Sequence, residues 1–247
     1  MKWLLTLLLC STLQASPLQE KEIVQEIWSE FSSLVPMSYT CFDLGLTKED
    51  LEVFESLHIS QGMVYNQFGE LALLKSECLQ FLRDVCNNEE ALIQAASEII
   101  EKIVFNVSKA SQKETAWISL RAYTPNEVYN TPRWHTDGSY YAPDYGAQYK
   151  FATTLKGPST YFMPLDEEMR SLYEDHSDDR AFLAEVFQKD EAEQPRIGQG
   201  AIFVVGNSRF SALHSEPKID SQRLFLSILP CHECEMKELK RRWNVPD

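Results

Sequence analysis

Glycine is scarce in this 247-residue chain, at nine residues, and proline is modest at eleven. Without periodic glycine or a proline-rich tract, the sequence is neither collagen-like nor a low-complexity linker. No unit of roughly 20 to 50 residues recurs, as a solenoid or propeller would require. Basic residues are in deficit too: 23 lysines and arginines against 37 acidic residues leave a formal charge of −14. That balance offers no basic stripe able to displace counterions from nucleic acid, so no nucleic-acid partner is expected. Its simplest role is to keep the surface solvated. Long apolar runs are also missing. Trp3 to Leu9 is far too short to span a bilayer, no other stretch approaches the necessary length, and no stable membrane span is expected.

The first residues read as an export signal. Lys2 supplies the charged end, Trp3 to Leu9 the apolar run, and Ser11 to Ser16 a mostly small or polar stretch. Residues 1–16 are therefore expected to be removed and the remainder exported, periplasmic or secreted, with a cytoplasmic location as the alternative. Loss of Cys10 would leave Cys41, Cys78, Cys86, Cys231 and Cys234. An odd number in a chain of this size is not a disulfide framework. Cys231-His232-Glu233-Cys234 has a spacing that can chelate zinc or cycle as a dithiol, but no second such pair completes four ligands. Two plain thiols, or one local disulfide, is the expectation.

At 44% hydrophobic residues the chain can bury one substantial core. Residues 17–110 read as a helical region packing on that core. Ser16-Pro17 looks like a helix start, and Thr47 caps another ahead of Lys48-Glu49-Asp50. A helix is expected over 66–86, broken by Asn87-Asn88. Within 89–107, Leu92, Ala96, Ile99, Ile100, Ile103 and Val104 recur at helical spacing.

From about residue 115 the texture changes to short β-prone runs: Trp117 to Tyr123, Tyr149 to Leu155, Thr160 to Met163, Ala201 to Val205 and Arg223 to Leu229. Turn residues such as Gly157-Pro158 and Gly206-Asn207 separate them. Residues 165–194 form an acidic, helical insert whose His176 is a solvated surface residue, and 233–247 remain as a tail or helix. Many short strands without long crossover helices favour an antiparallel sandwich or barrel.

The sharpest feature is His135-Thr136-Asp137, followed much later by His214 and, nine positions on, Arg223. On a strand, residues i and i+2 point the same way, so His135 and Asp137 offer a nitrogen and an oxygen to one face, with Gly138 letting the chain turn away. Of the other histidines, His58 lies in the helical part, where packing or hydrogen bonding is the default. His214 lies just beyond a predicted strand and is the choice for a third ligand. Two imidazoles and one carboxylate form the facial set of non-haem iron(II) sites, leaving positions open. Arg223 shares a strand face with Phe225, Ser227 and Leu229. An inward arginine among apolar neighbours is costly unless paired, and its fork suits a carboxylate. A salt bridge to an acidic residue of the chain is the plainer alternative. Trp134, Tyr140, Tyr141 and Phe151 are candidates for keeping such a site dry.

The order strand, His-x-Asp, strand, Gly-Pro turn, strand, His, Arg, strand resembles the Fe(II)/2-oxoglutarate-dependent dioxygenases, over roughly residues 115–230. Pro132 to His135 and Thr153 to Thr160 are similar to an uncharacterised bacterial branch. The resemblance implies an α+β fold, with a helical N-terminal region followed by an antiparallel double-stranded β-helix (jelly-roll) core over 111–232. It implies Fe(II) held by His135, Asp137 and His214, with no catalytic side chain beyond these ligands, and Arg223 on the distal carboxylate of 2-oxoglutarate. It further implies O2 as co-substrate and hydroxylation of a C–H bond in a small molecule or peptide, with decarboxylation of 2-oxoglutarate to succinate. Many members carry a serine two residues after the arginine; this chain has Phe225 there, with Ser227 further along the same face. Two rivals use the same residues differently. One is a zinc hydrolase, although no His-Glu-x-x-His motif is present, and the other is a non-catalytic exported β-domain.

Overall fold

The computed structural model describes residues 38–142, 148–206 and 209–246. The export signal and the helix start at Ser16-Pro17 lie outside the described residues. The elements run β1 (Tyr39–Asp43), α1 (Lys48–Ser56), β2 (Met63–Glu70), α2 (Leu74–Val85), α3 (Glu90–Ser111), β3 (Thr115–Tyr123), β4 (Gln148–Lys156), β5 (Tyr161–Met163), α4 (Glu167–His176), α5 (Arg180–Val186), β6 (Gln199–Val205), β7 (Leu213–Ser215), β8 (Arg223–Cys231) and α6 (Glu233–Trp243). Every ladder is antiparallel. Six strands form one sheet in the order β1-β6-β4-β8-β3-β2, while β5 and β7 pair separately. Bridges at His135–His214 and Phe162–Glu193 extend the small sheet on both sides.

Alternation along the central strands sorts two layers. Ile118, Leu120, Phe151, Ile202, Leu226 and Ile228 pack on one face with Ala96, Ile100, Ile103 and Val104 of α3. Here Gly200 is required, because a Cβ at that position would lie 2.4 Å from Cε2 of Phe151. The alternate residues Trp117, Ala152, Ala201, Phe203 and Leu229 face the other way and cluster with Phe162 of β5. The alternating direction of side chains along each strand thus gives an inner face between the large and small sheets, and the metal-ligand candidates lie there.

The first half departs from the all-helical expectation, because β1 and β2 are the two edges of the large sheet. The expected helix over 66–86 is split: Asn66 to Glu70 belong to β2, and the helix proper starts at Leu74. The cause is long-range pairing. β2 matches β3 residue for residue from Met63–Ala122 to Glu70–Thr115, and Phe68 stacks on Trp117 with ring centroids 5.6 Å apart. Thr47 caps α1 through a reciprocal box with Asp50, at 3.1 and 2.9 Å. Residues 165–194 carry α4 and α5, with His176 exposed. Cys231 is buried, Cys234 is exposed, and both are free thiols. Among the described residues no helix is long and apolar enough to cross a membrane.

Candidate metal centre

His135 and His214 stand directly opposite each other on neighbouring extended segments. Each donates its backbone N–H to the other's carbonyl, at 2.9 and 3.0 Å, a closed pair that sends both side chains to one face. Asp137, two residues beyond His135, joins them there. Its Oδ1 lies 3.8 Å from Nε2 of each histidine. One ligand atom from each of the three residues falls within 4.8 Å of the others, the one such group among the described residues. Each ring is oriented by its own strand: Nδ1 of His135 faces the Arg133 carbonyl at 2.8 Å, and Nδ1 of His214 the Ala212 carbonyl at 3.1 Å. A proton on each Nδ1 leaves both Nε2 lone pairs free toward Asp137. Burial, then the neighbouring His214, pushes His135 down to about 4, so it is neutral at physiological pH as a ligand must be. Side-chain exposure falls from 23% at His135 to 15% at Asp137 and 10% at His214, which leaves the centre open on the His135 side.

Asp137 divides its two oxygens. Oδ1 faces the histidines, whereas Oδ2 accepts a 2.8 Å hydrogen bond from the buried ammonium of Lys150, which also donates to the Tyr140 hydroxyl at 3.0 Å. Lys150 lies 5.2 Å from the ring centroids of both Trp117 and Tyr140. Burial alone would raise the Asp137 carboxyl, but the Lys150 charge and then His214 carry it well below the usual carboxylate range. Burial would likewise lower Lys150, yet the Asp137 charge holds it above its ordinary value. Sequence reasoning missed Lys150. Its signal was a cation set between Tyr149 and Phe151 inside a predicted strand, on the same face as Ala152 and Thr154.

Trp134 and Thr136, which alternate with His135 and Asp137, are gripped by the acidic insert. Trp134 is buried with Phe187 and Leu183, and its indole N–H donates to the Phe187 carbonyl at 3.0 Å. The Thr136 amide donates to the Tyr173 hydroxyl at 3.0 Å. The exit of the segment is held by Gly206, whose N–H donates to the Asp137 carbonyl at 2.9 Å from a left-handed φ of 103°. Gly138, expected to let the chain turn, has open space where a Cβ would be and no unusual φ, so it is not the required glycine. On the open side Arg133 pairs with Glu216 and reaches to 3.4 Å from Nε2 of His135.

Arg223 is buried at the start of β8. Its Nε donates to the Pro158 carbonyl at 2.8 Å and one terminal nitrogen to the Thr160 hydroxyl at 3.1 Å. Among the described residues no carboxylate comes within ion-pair distance, so the plainer salt-bridge expectation is not met. Burial draws the guanidinium down to about 10. Gly157, at φ 83°, lets the Gly-Pro turn run against β8: a Cβ there would sit 2.2 Å from the Gln222 carbonyl oxygen. Thr160 supplies the hydroxyl beside the guanidinium, and Thr160 borders Tyr161 and Phe162, the latter paired with His214. The small sheet thus connects Arg223 with the histidines.

Of the four aromatic residues expected to dry the site, two are elsewhere. Trp134 belongs to the insert cluster and Phe151 to the helix-side core. Tyr140 and Tyr141 do pack in the inner layer. His58 is exposed and faces Gln222 at 2.9 Å, and His232 pairs with Glu114.

No family model matches the chain, and no curated protein matches it. Solved structures do. A prolyl-4-hydroxylase from Pseudomonas putida is 9% identical, with 85% of this chain and 100% of that one covered, at a TM-score of 0.43. A dioxygenase for auxin oxidation from rice is 7% identical, with 84% and 78% covered, at 0.45. The Fe(II)/α-ketoglutarate-dependent dioxygenase TqaL is 13% identical, with 87% and 89% covered, at 0.38. Every TM-score is under 0.5, so the site's own residues have to carry the chemistry.

Proposed function

We propose that the chain is an Fe(II)- and 2-oxoglutarate-dependent dioxygenase built on a double-stranded β-helix, hydroxylating a C–H bond of its substrate. The convergence of two oriented imidazoles and one carboxylate oxygen is the observation that carries this reading. The donor set suits a divalent first-row metal that keeps open positions. With Asp137 Oδ2 committed to Lys150, Oδ1 is the oxygen left for the metal. Arg223, buried and with no carboxylate within ion-pair distance among the described residues, is suited to the distal carboxylate of 2-oxoglutarate, with the Thr160 hydroxyl beside it. When bound, iron and 2-oxoglutarate supply the oxidising power: substrate C–H, O2 and 2-oxoglutarate give alcohol, succinate and carbon dioxide. The protein's part is to position the three side chains, orient the co-substrate through Arg223, and pack Phe162 and Phe203 against His214.

Calorimetric titration tests this. The full chain should take up one Mn(II) as a redox-silent stand-in, and then 2-oxoglutarate only once the metal is present. Metal uptake with no subsequent 2-oxoglutarate binding would overturn the co-substrate assignment. Unchanged Mn(II) uptake by His135→Ala and His214→Ala would overturn the ligand set.

A further inference from the structure

Arg121 is a further cation on the inner face of the large sheet. On β3 it alternates with Leu120 and Ala122, both packed toward the helices, so its side chain shares a face with Ser119 and Tyr123. Arg121 is opposite Phe225 across the ladder to β8, and Tyr123 is opposite Arg223. The Arg223 guanidinium lies 5.7 Å from the Tyr123 ring centroid and 4.5 Å from that of Phe225. Two guanidinium-bearing residues therefore occupy adjacent positions of one patch. Arg121 is half-buried, with an Nε hydrogen bond to the Ser119 hydroxyl at 3.3 Å, and among the described residues no carboxylate lies within ion-pair distance of it. Nearby, Arg133 is offset by Glu216 and Lys150 by Asp137. Among the described residues neither Arg121 nor Arg223 has a carboxylate within ion-pair distance, although Glu216 acts on Arg223 from further away, in a protein whose overall charge is −14.

Like charges held together on a partly desolvated surface are unfavourable unless an anion joins them. If a divalent metal and 2-oxoglutarate occupy this face, their charges cancel, and Arg121 is left with no ion-pair partner among the described residues. We propose that Arg121 binds the carboxylate of the primary substrate, and that this substrate is a small organic acid. The proposal rests on the dioxygenase reading for its role in catalysis, but the anion preference of the face can be measured without it.

The full chain loaded with Mn(II) and 2-oxoglutarate is titrated with matched acid and amide pairs of graded size, from acetate and acetamide to phenylacetate and phenylacetamide. At least one acid should bind tenfold or more tightly than its amide. Arg121→Gln should remove that preference while leaving 2-oxoglutarate affinity within twofold, and Arg121→Lys should restore part of it. Equal binding of acids and amides, no binding of any acid, or an undiminished preference in Arg121→Gln would each overturn the proposal. So would a loss of 2-oxoglutarate binding in Arg121→Gln as large as that in Arg223→Met, which would make Arg121 part of the co-substrate's own site. If wild type fails to bind 2-oxoglutarate, the dioxygenase reading fails instead. The acid and amide comparison then proceeds on the Mn(II)-loaded chain, where the same outcomes decide it.

Discussion

Lys150 decides how Asp137 can act, because it takes one carboxylate oxygen and leaves the other to face the histidines. Breaking such a buried pair typically costs about 3–5 kcal/mol, since the remaining charge has no partner. Lys150→Met should therefore lower the melting temperature of the metal-free protein. Asp137 is depressed, so its contribution is present above the unfolded carboxylate value of about 4 and lost as pH falls through the folded value. Lys150 is raised, so its contribution is present below about 10.4 and lost as pH rises through its folded value. The gap in melting temperature between wild type and variant should hold across neutral pH and narrow in acid, where the variant's Asp137 is protonated. Mn(II) should raise the variant's melting temperature more than the wild type's, because the ion replaces the missing counter-charge. Equal shifts would show that Lys150 does not act through Asp137. Arg223→Met should weaken 2-oxoglutarate binding by roughly 10- to 100-fold, the worth of charge-assisted hydrogen bonds, with Mn(II) uptake retained. The three residues that converge were legible in the sequence because i and i+2 share a face and few histidines compete. Lys150 was not, since its meaning depends on Asp137 arriving opposite it from another segment.

At the scale of elements, the acidic insert is the brace of the ligand segment. Trp134 and Thr136 alternate with His135 and Asp137 and are fixed by Phe187 and Tyr173. Trp134→Ala should cost about 3–5 kcal/mol in stability, as large-to-small core changes do. It should also weaken Mn(II) binding, although the indole belongs to a separate cluster from the ligands; undiminished Mn(II) affinity in a folded variant would refute the bracing role. Gly157→Ala combines a left-handed φ with a backbone clash, so it should shift the Gly-Pro turn and weaken 2-oxoglutarate binding without touching the ligands. Five of the strands from residue 115 onward, β3, β4, β5, β6 and β8, were legible from their apolar runs and turn residues. β1, β2 and β7 were not: β1 and β2 are edges completed by distant partners, and β7 is three residues long.

Across the whole molecule, a formal charge of −14 coexists with Arg121 and Arg223 on one face of the large sheet. The bulk charge was legible from composition alone, and it pointed away from nucleic acid. Alternation along its strand had marked Arg223 as inward, but Arg121 stayed hidden, because a net count does not say which side of a strand a cation occupies. The most direct test of the central claim is anaerobic addition of Fe(II) and then 2-oxoglutarate to the full chain, followed by visible absorption. A charge-transfer band should appear in the wild type only when both are present, and be lost in His135→Ala, Asp137→Ala and His214→Ala. A wild type that saturates with both yet shows no band, or a His214→Ala variant that keeps it undiminished, would contradict the assignment.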